Sequence, residues 1–165
     1  MMACVHDASK TIVKYEGREI RVANASGLAL AEGVADCLID LARLTSPPSQ
    51  FILPGSDPRF LPLEKHLPRE KSVRPPILLR LGWPDMAPPP VGVGLSFWRE
   101  LWELLPVGIT VIACEGGHGR SGTALAAMLI ARGMDPEEAI EYVRRMHCRL
   151  AIETPGQEAY LRSLR

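Results

Sequence analysis

The sequence predicts an α/β fold, a mixed and mostly parallel central sheet flanked by helices, on three observations. A β-branched run, Ile109-Thr110-Val111-Ile112-Ala113, leads through a glycine-rich loop into an apolar helical stretch that begins at Ser121. A second buried-strand pattern, Ile77 to Leu81, precedes it. Between the two lies an amphipathic helical segment, Leu95 to Leu105, with Phe97, Leu101, Leu104 and Leu105 on one broad face. Strands alternating with helices in this way build parallel sheets, because parallel strands need a crossover and the crossover is usually a helix.

The other elements follow in order. Thr11 to Tyr15 and Glu19 to Ala23 read as a strand pair joined at Glu16-Gly17-Arg18. Leu28 to Leu44 carries apolar residues at helical spacing (Leu30, Val34, Leu38, Leu41) and predicts a helix. Its later part, Cys37 to Leu41, also fits a short buried strand. Pro47-Pro48 ends the element either way. Residues 45 to 76 read as an irregular connection with a short strand near Phe51 to Leu53. The Pro/Gly-rich run Met86 to Gly94 reads as a surface loop. A helix from Ser121 to about Arg132 stops at Gly133. The next starts with Asp135 as N-cap and Pro136 at its first position, and runs to about Met146. A last helix extends from Thr154-Pro155 to near Leu164.

Composition sets bounds. A chain of 165 residues suits one domain, 1–165. Nineteen basic and nineteen acidic residues cancel, which argues against broad electrostatic binding to nucleic acid. No apolar stretch approaches the roughly 20 residues of a membrane span. The first residues lack an apolar signal core, so a cytoplasmic location is expected. The four cysteines, Cys4, Cys37, Cys114 and Cys148, are scattered with no C-x-x-C pair, which argues against both a disulfide scaffold and a zinc site. Cys4, Cys37 and Cys148 read as small buried hydrophobes. Trp98 and Trp102, four apart on a helix, read as packing residues.

The chemistry concentrates in Cys114-Glu115-Gly116-Gly117-His118-Gly119-Arg120-Ser121. A strand, a tight loop and a helix start together make an anion cradle, since successive backbone N–H groups point inward and the helix adds partial positive charge. Residues 115 to 120 would line it: Glu115, Gly116, Gly117, His118 and Gly119 through the backbone, and Arg120 through its planar fork. An arginine at a helix start is unfavourable without an anion. The same field favours the thiolate of Cys114, placed for in-line attack on phosphorus. His118 projects from the loop, either towards substrate or into solvent. Glu115 is either exposed or an anchor for a neighbouring element.

A leaving oxygen needs a proton, and Asp85 is the candidate donor. It follows the strand Ile77 to Leu81 in Gly82-Trp83-Pro84-Asp85. Two strands of one sheet that end at the same edge would put Asp85 and Cys114 on one rim. Such a loop can swing over bound substrate.

At these residues the sequence resembles the protein tyrosine phosphatase superfamily. Residues 114–122 match C-x-x-G-x-G-R-[ST]-G, and Trp83-Pro84-Asp85 with Pro88 is similar to the W-P-D loop, with Ala87 where a glycine is usual. Glu153-Thr154-Pro155-Gly156-Gln157 resembles the family's Q-loop. The resemblance covers about residues 77 to 165 and is best with the compact, dual-specificity-like members. It implies a phosphocysteine intermediate at Cys114, a hydroxyl at Ser121 that helps thiolate departure, and Gln157 as the residue that positions hydrolytic water. On the residues alone, Gln157 equally reads as a surface position of the last helix. Ala113 departs from the pattern, which has a loop-ordering His there.

The substrate so implied is a phosphorylated protein or peptide: phosphotyrosine, with phosphoserine and phosphothreonine admitted by a shallow cleft. No metal or cofactor is required by this chemistry. Phosphoinositide or RNA 5′-triphosphate phosphatases use the same loop, but the absence of lysine among residues 115 to 119 argues mildly against such polyanions. A phosphate-binding pseudophosphatase is a third reading, weakened because Cys114, Arg120 and Asp85 are all present. The oligomeric state is open.

Overall fold

The computed structural model describes residues 4–42, 64–65 and 77–165. Strand β1 (Val13–Tyr15) pairs antiparallel with β2 (Arg18–Ala23) in the register Tyr15↔Arg18. The intervening Glu16-Gly17 has positive φ at both residues, the two-residue turn whose twist matches a hairpin. A short 3₁₀ turn (Ala25–Gly27), capped by the Asn24 side chain, leads into α1 (Leu28–Val34) and then β3 (Cys37–Asp40). Strands β4 (Glu64–Lys65) and β5 (Ile77–Arg80) pair antiparallel. Helix α2 (Leu95–Leu104), strand β6 (Gly108–Ala113) and helices α3 (Gly119–Ala131), α4 (Pro136–Met146) and α5 (Pro155–Ser163) complete the chain.

The six strands form one sheet in the order β1-β2-β6-β3-β5-β4. Its inner pairs, β2 with β6, β6 with β3 and β3 with β5, are all parallel. The mixed, mostly parallel sheet expected from the sequence is therefore present. Strand β6 sits in the middle because every residue from Thr110 to Ala113 is buried, and a parallel strand covered on both faces needs such an apolar run.

Side chains alternate across that sheet. Ile39 and Ile112 face a large core under α2 to α5, while Leu38, Val111 and Ala113 face a smaller one with Ala31 and Ala35 at α1. All thirteen residues of α3 are buried, so this helix is covered around its whole circumference rather than along one stripe. Small residues such as Ala124, Ala126 and Ala127 let its neighbours approach. Trp98 and Trp102 are buried in the core, as expected; the Trp98 indole donates to the Tyr160 hydroxyl at 2.6 Å.

The helix predicted across Leu28 to Leu44 is corrected: α1 ends at Val34, and Cys37–Asp40 forms the strand of the alternative reading. All four strand residues are buried between β5 and β6. Burial on both faces overrides the helical spacing. Asp36 fixes the change of direction by accepting from the Ile109 amide at 2.8 Å. The strand expected near Phe51 to Leu53 lies outside the described residues, and β4 was not foreseen. Among the described residues, no helix is long and apolar enough to cross a membrane.

Candidate active site

The carboxyl ends of three strands meet where the cysteine loop begins. Ala113 is in register with Ala23 on one side and Asp40 on the other. The Leu41 amide donates to the Ala113 carbonyl at 2.8 Å, and the Leu81 amide to the Asp40 carbonyl at 2.9 Å. Cys114 leaves β6 and Trp83-Pro84-Asp85 leaves β5 on this one rim, with β3 between them.

Cys114 is 2% exposed, and its sulfur accepts from the Gly117 amide at 3.2 Å. The loop thus folds its backbone back over Sγ, as an anion cradle requires. Gly117 has φ +76°, and a Cβ there would meet the His6 ring at 2.9 Å, so both conformation and space demand glycine. At Gly119 a Cβ would lie 2.3 Å from Glu153 Oε2, which is how closely the loop packs on the start of α5. Among the described residues no side chain caps α3, so its first-turn amides remain for a ligand.

Arg120 joins the two loops. Its Nη1 donates to the Trp83 carbonyl at 3.2 Å and to the Leu41 carbonyl at 3.4 Å. Its Nε lies 3.3 Å from Asp85 Oδ1, an ion pair in which Arg120 is buried and Asp85 is exposed. That Nε and the fully buried Ser121 Oγ have no aligned hydrogen-bond partner among the described residues. Buried polar atoms left unpaired cost roughly 1–3 kcal/mol each, and a bound anion would relieve that cost.

Gln157 is buried, which corrects its reading as a surface residue. Its Oε1 accepts from the amides of Glu153 and Thr154, closing a capping box with Thr154. Its Nε2 donates to the Ala87 carbonyl at 3.3 Å. The Trp83 indole donates to the same carbonyl at 3.0 Å, and Thr154 Oγ1 donates to the Met86 carbonyl at 3.1 Å. The start of α5 therefore holds the loop that carries Asp85. Glu115 is exposed, and its carbonyl anchors the Ala25 amide at 3.0 Å.

Sequence reasoning missed what supports the loop from the other side. His118 points neither at substrate nor into open solvent: its Nδ1 lies 3.2 Å from His6 Nε2, with the rings edge to face. His147, after α4, donates from Nε2 to the Gly117 carbonyl at 2.7 Å. The His6 imidazole is held down at about 4, first by burial and then by His147 and His118. Burial likewise lowers His147 and raises the Cys148 thiol. Sulfur atoms of Cys4 and Cys148 lie 3.0 Å apart beside these rings. The scattered spacing argued against a metal site, yet the fold gathers Cys4, His6, His118 and Cys148 as a candidate ligand set. The signal available was Cys4-x-His6 at one end of the chain and His147-Cys148 at the other. Cys37 is buried in the main core, in line with its reading as a small hydrophobe.

No protein-family model matches the chain. Two uncharacterized proteins of Methanocaldococcus jannaschii are 47% and 45% identical to it over 51 residues each. Those matches take in 31% of this chain and only about a third of each relative, 33% and 31%. Solved structures resemble it over far more of its length. Tk-PTP in its active form superposes with a TM-score of 0.62 over 95% of both chains, at 24% identity. A variant of human DUSP28 gives 0.58 over 92% of this chain and 90% of that one, at 15% identity. The protein tyrosine phosphatase TbPTP1 of Trypanosoma brucei gives 0.59 over 96% and 71%, at 13% identity. With the loops of Cys114 and Asp85 leaving parallel strands on one rim, this chain has the fold of the protein tyrosine phosphatase superfamily.

Proposed function

We propose that the protein is a cysteine-dependent phosphatase that hydrolyses phosphomonoesters, with phosphotyrosine as the main substrate and phosphoserine and phosphothreonine as further ones. The observation that carries this reading is the convergence of Cys114, Arg120 and Asp85, with the Gly117 amide on the cysteine sulfur.

In this reading the phosphate enters above Cys114 and takes the amides of residues 115 to 120 and the Arg120 guanidinium. Arg120 gives up Asp85 when it binds the dianion, which frees the carboxyl for the leaving group. Sulfur attacks phosphorus, the phosphorus–oxygen bond of the ester breaks, and Asp85 donates its proton to the departing oxygen. Water then attacks the phosphocysteine, the sulfur–phosphorus bond breaks, and Asp85 takes the water's proton. Fixed amides and Arg120 stabilise charge on the equatorial oxygens in both steps. Ser121, whose buried hydroxyl has no hydrogen-bond partner among the described residues, is placed to assist thiolate departure. Gln157 acts mainly through the acid loop, because its carbonyl oxygen is committed to the α5 cap.

The test compares a phosphotyrosine peptide, phosphoserine and phosphothreonine peptides, a phosphoinositide and a triphosphate-ended RNA, using the native protein and Cys114→Ser. Turnover of the phosphotyrosine peptide by the native protein alone is expected, with substrate binding retained in Cys114→Ser. Turnover that survives Cys114→Ser removes the sulfur from the mechanism. Preference for the lipid or the RNA overturns the substrate assignment.

A further inference from the structure

We propose that Cys4, His6, His118 and Cys148 form a binding site for a single zinc ion, which pins the N-terminal segment and the end of α4 to the phosphate loop. Each residue offers one donor atom, and the four atoms all lie within 4.8 Å of one another. A tetrahedral zinc with sulfur at about 2.3 Å and nitrogen at about 2.0 Å separates its ligands by about 3.3–3.8 Å. The imidazole nitrogens, 3.2 Å apart, already stand near the shorter, nitrogen–nitrogen, separation, whereas the sulfurs, 3.0 Å apart, are closer than the longer, sulfur–sulfur, one. The ion is admitted when the two sulfurs part by about 0.8 Å, a movement of side-chain rotation.

The donor chemistry selects the metal. Two thiolates and two imidazoles make a soft tetrahedral set that suits zinc over magnesium or calcium. His6 and Cys148 are buried, and Cys4 and His118 are half-buried, so the site is partly closed to water. The surroundings also fit. The Leu150 amide points at Cys148 Sγ at 3.4 Å, the kind of outer bond that supports a thiolate ligand. The His147 ring packs 4.5 Å from that of His6 and anchors the loop separately through the Gly117 carbonyl. As the ion binds, both thiols lose their protons to solvent and the imidazoles bind as neutral rings.

The position of His118 gives the site its consequence. It lies in the cradle between Gly117 and Gly119, two residues before Arg120, and its carbonyl accepts from the amides of Gly122 and Ile152. An ion on its ring fixes the loop where the structure carries Ala113 rather than a histidine. This inference stands apart from the phosphatase reading, because metal content is measured without substrate.

The experiment uses Cys114→Ser protein, so that the reactive sulfur takes no metal, purified under reducing conditions. Zinc is quantified by elemental analysis, and cobalt(II) is titrated into metal-free protein. One zinc per chain is expected, with the visible absorption of tetrahedral cobalt and a sulfur-to-cobalt charge-transfer band. Adding Cys4→Ser and Cys148→Ser should weaken zinc binding by more than about tenfold and abolish that band. Reduced Cys114→Ser protein that holds no zinc overturns the site, whether or not the further variants fold. So does unchanged affinity in folded variants, or a Cys4–Cys148 disulfide in freshly isolated protein.

Discussion

Arg120 Nη1 donates to the backbone carbonyl of Trp83 at 3.2 Å, so the residue at the head of α3 also grips the loop that carries Asp85. A guanidinium can do this and still present other N–H groups to a ligand; a lysine ammonium has no such fork. Arg120→Lys is therefore expected to lower kcat/KM by about 10²–10³-fold, the usual cost of losing a preorganised charged donor. Steady-state kinetics on an aryl phosphate check this, and near-native turnover would remove Arg120 from charge stabilisation.

Asp85→Asn keeps the size of the side chain and removes its proton. The expected fall in kcat is about 10²–10⁴-fold on esters with poor leaving groups, with little change in binding. It should be smaller on an aryl phosphate whose phenol leaves unaided. The decline of kcat on the alkaline side of the pH profile, where a carboxyl acid loses its proton, should disappear. An identical profile in the variant would assign the acid elsewhere.

Thr154 serves two elements, because its hydroxyl accepts from the Gln157 amide and donates to the Met86 carbonyl. Thr154→Ala should cost about 1 kcal/mol of stability, as loss of an N-cap does. It should also speed hydrogen exchange at the Ala87 amide, since the loop that carries Asp85 loses one of its ties. Thr154→Ser should restore both. Denaturant unfolding and exchange measurements read the two effects separately.

Glu158 is held below the usual carboxylate range, first by its hydrogen bond from Arg144 and then by the charges of Arg144 and Arg162. A depressed carboxyl stabilises the folded state above its ordinary pKa, and that contribution is lost as pH falls through the folded value. Glu158→Gln should be less stable than the native protein at neutral pH, and the two should converge in acid. Urea unfolding at neutral and acidic pH checks the sign; a constant difference would mean that the ion pair adds nothing.

Residues 77 to 165 were legible because each element there carries its own local signal. The β-branched run ends at Ala113, the glycines follow in register, Asp135 and Pro136 open α4, and Thr154-Pro155 opens α5. The boundary of α1 was not legible, since Leu38 and Leu41 have helical spacing and only burial between two strands makes them part of a sheet. The role of Gln157 was half visible: its place beside the cysteine loop was expected, but its commitment to a helix cap was not. The cluster around His118 left only a faint trace in the sequence, two short Cys/His pairings at opposite ends of the chain. Cys4 and Cys148 are separated by 144 positions, and only the return of the chain at the sheet edge makes them neighbours.

Cys4 to Ala8 lie along the edge of the Cys114 loop, through the His6 ring against His118 and through the His6 carbonyl that receives the Asn24 amide at 2.8 Å. Preparative choices at that edge are consequently not neutral. An affinity handle or fusion partner joined ahead of Cys4 would crowd the scaffold of the Cys114 loop, and a sluggish preparation would then report on its handle rather than on the protein.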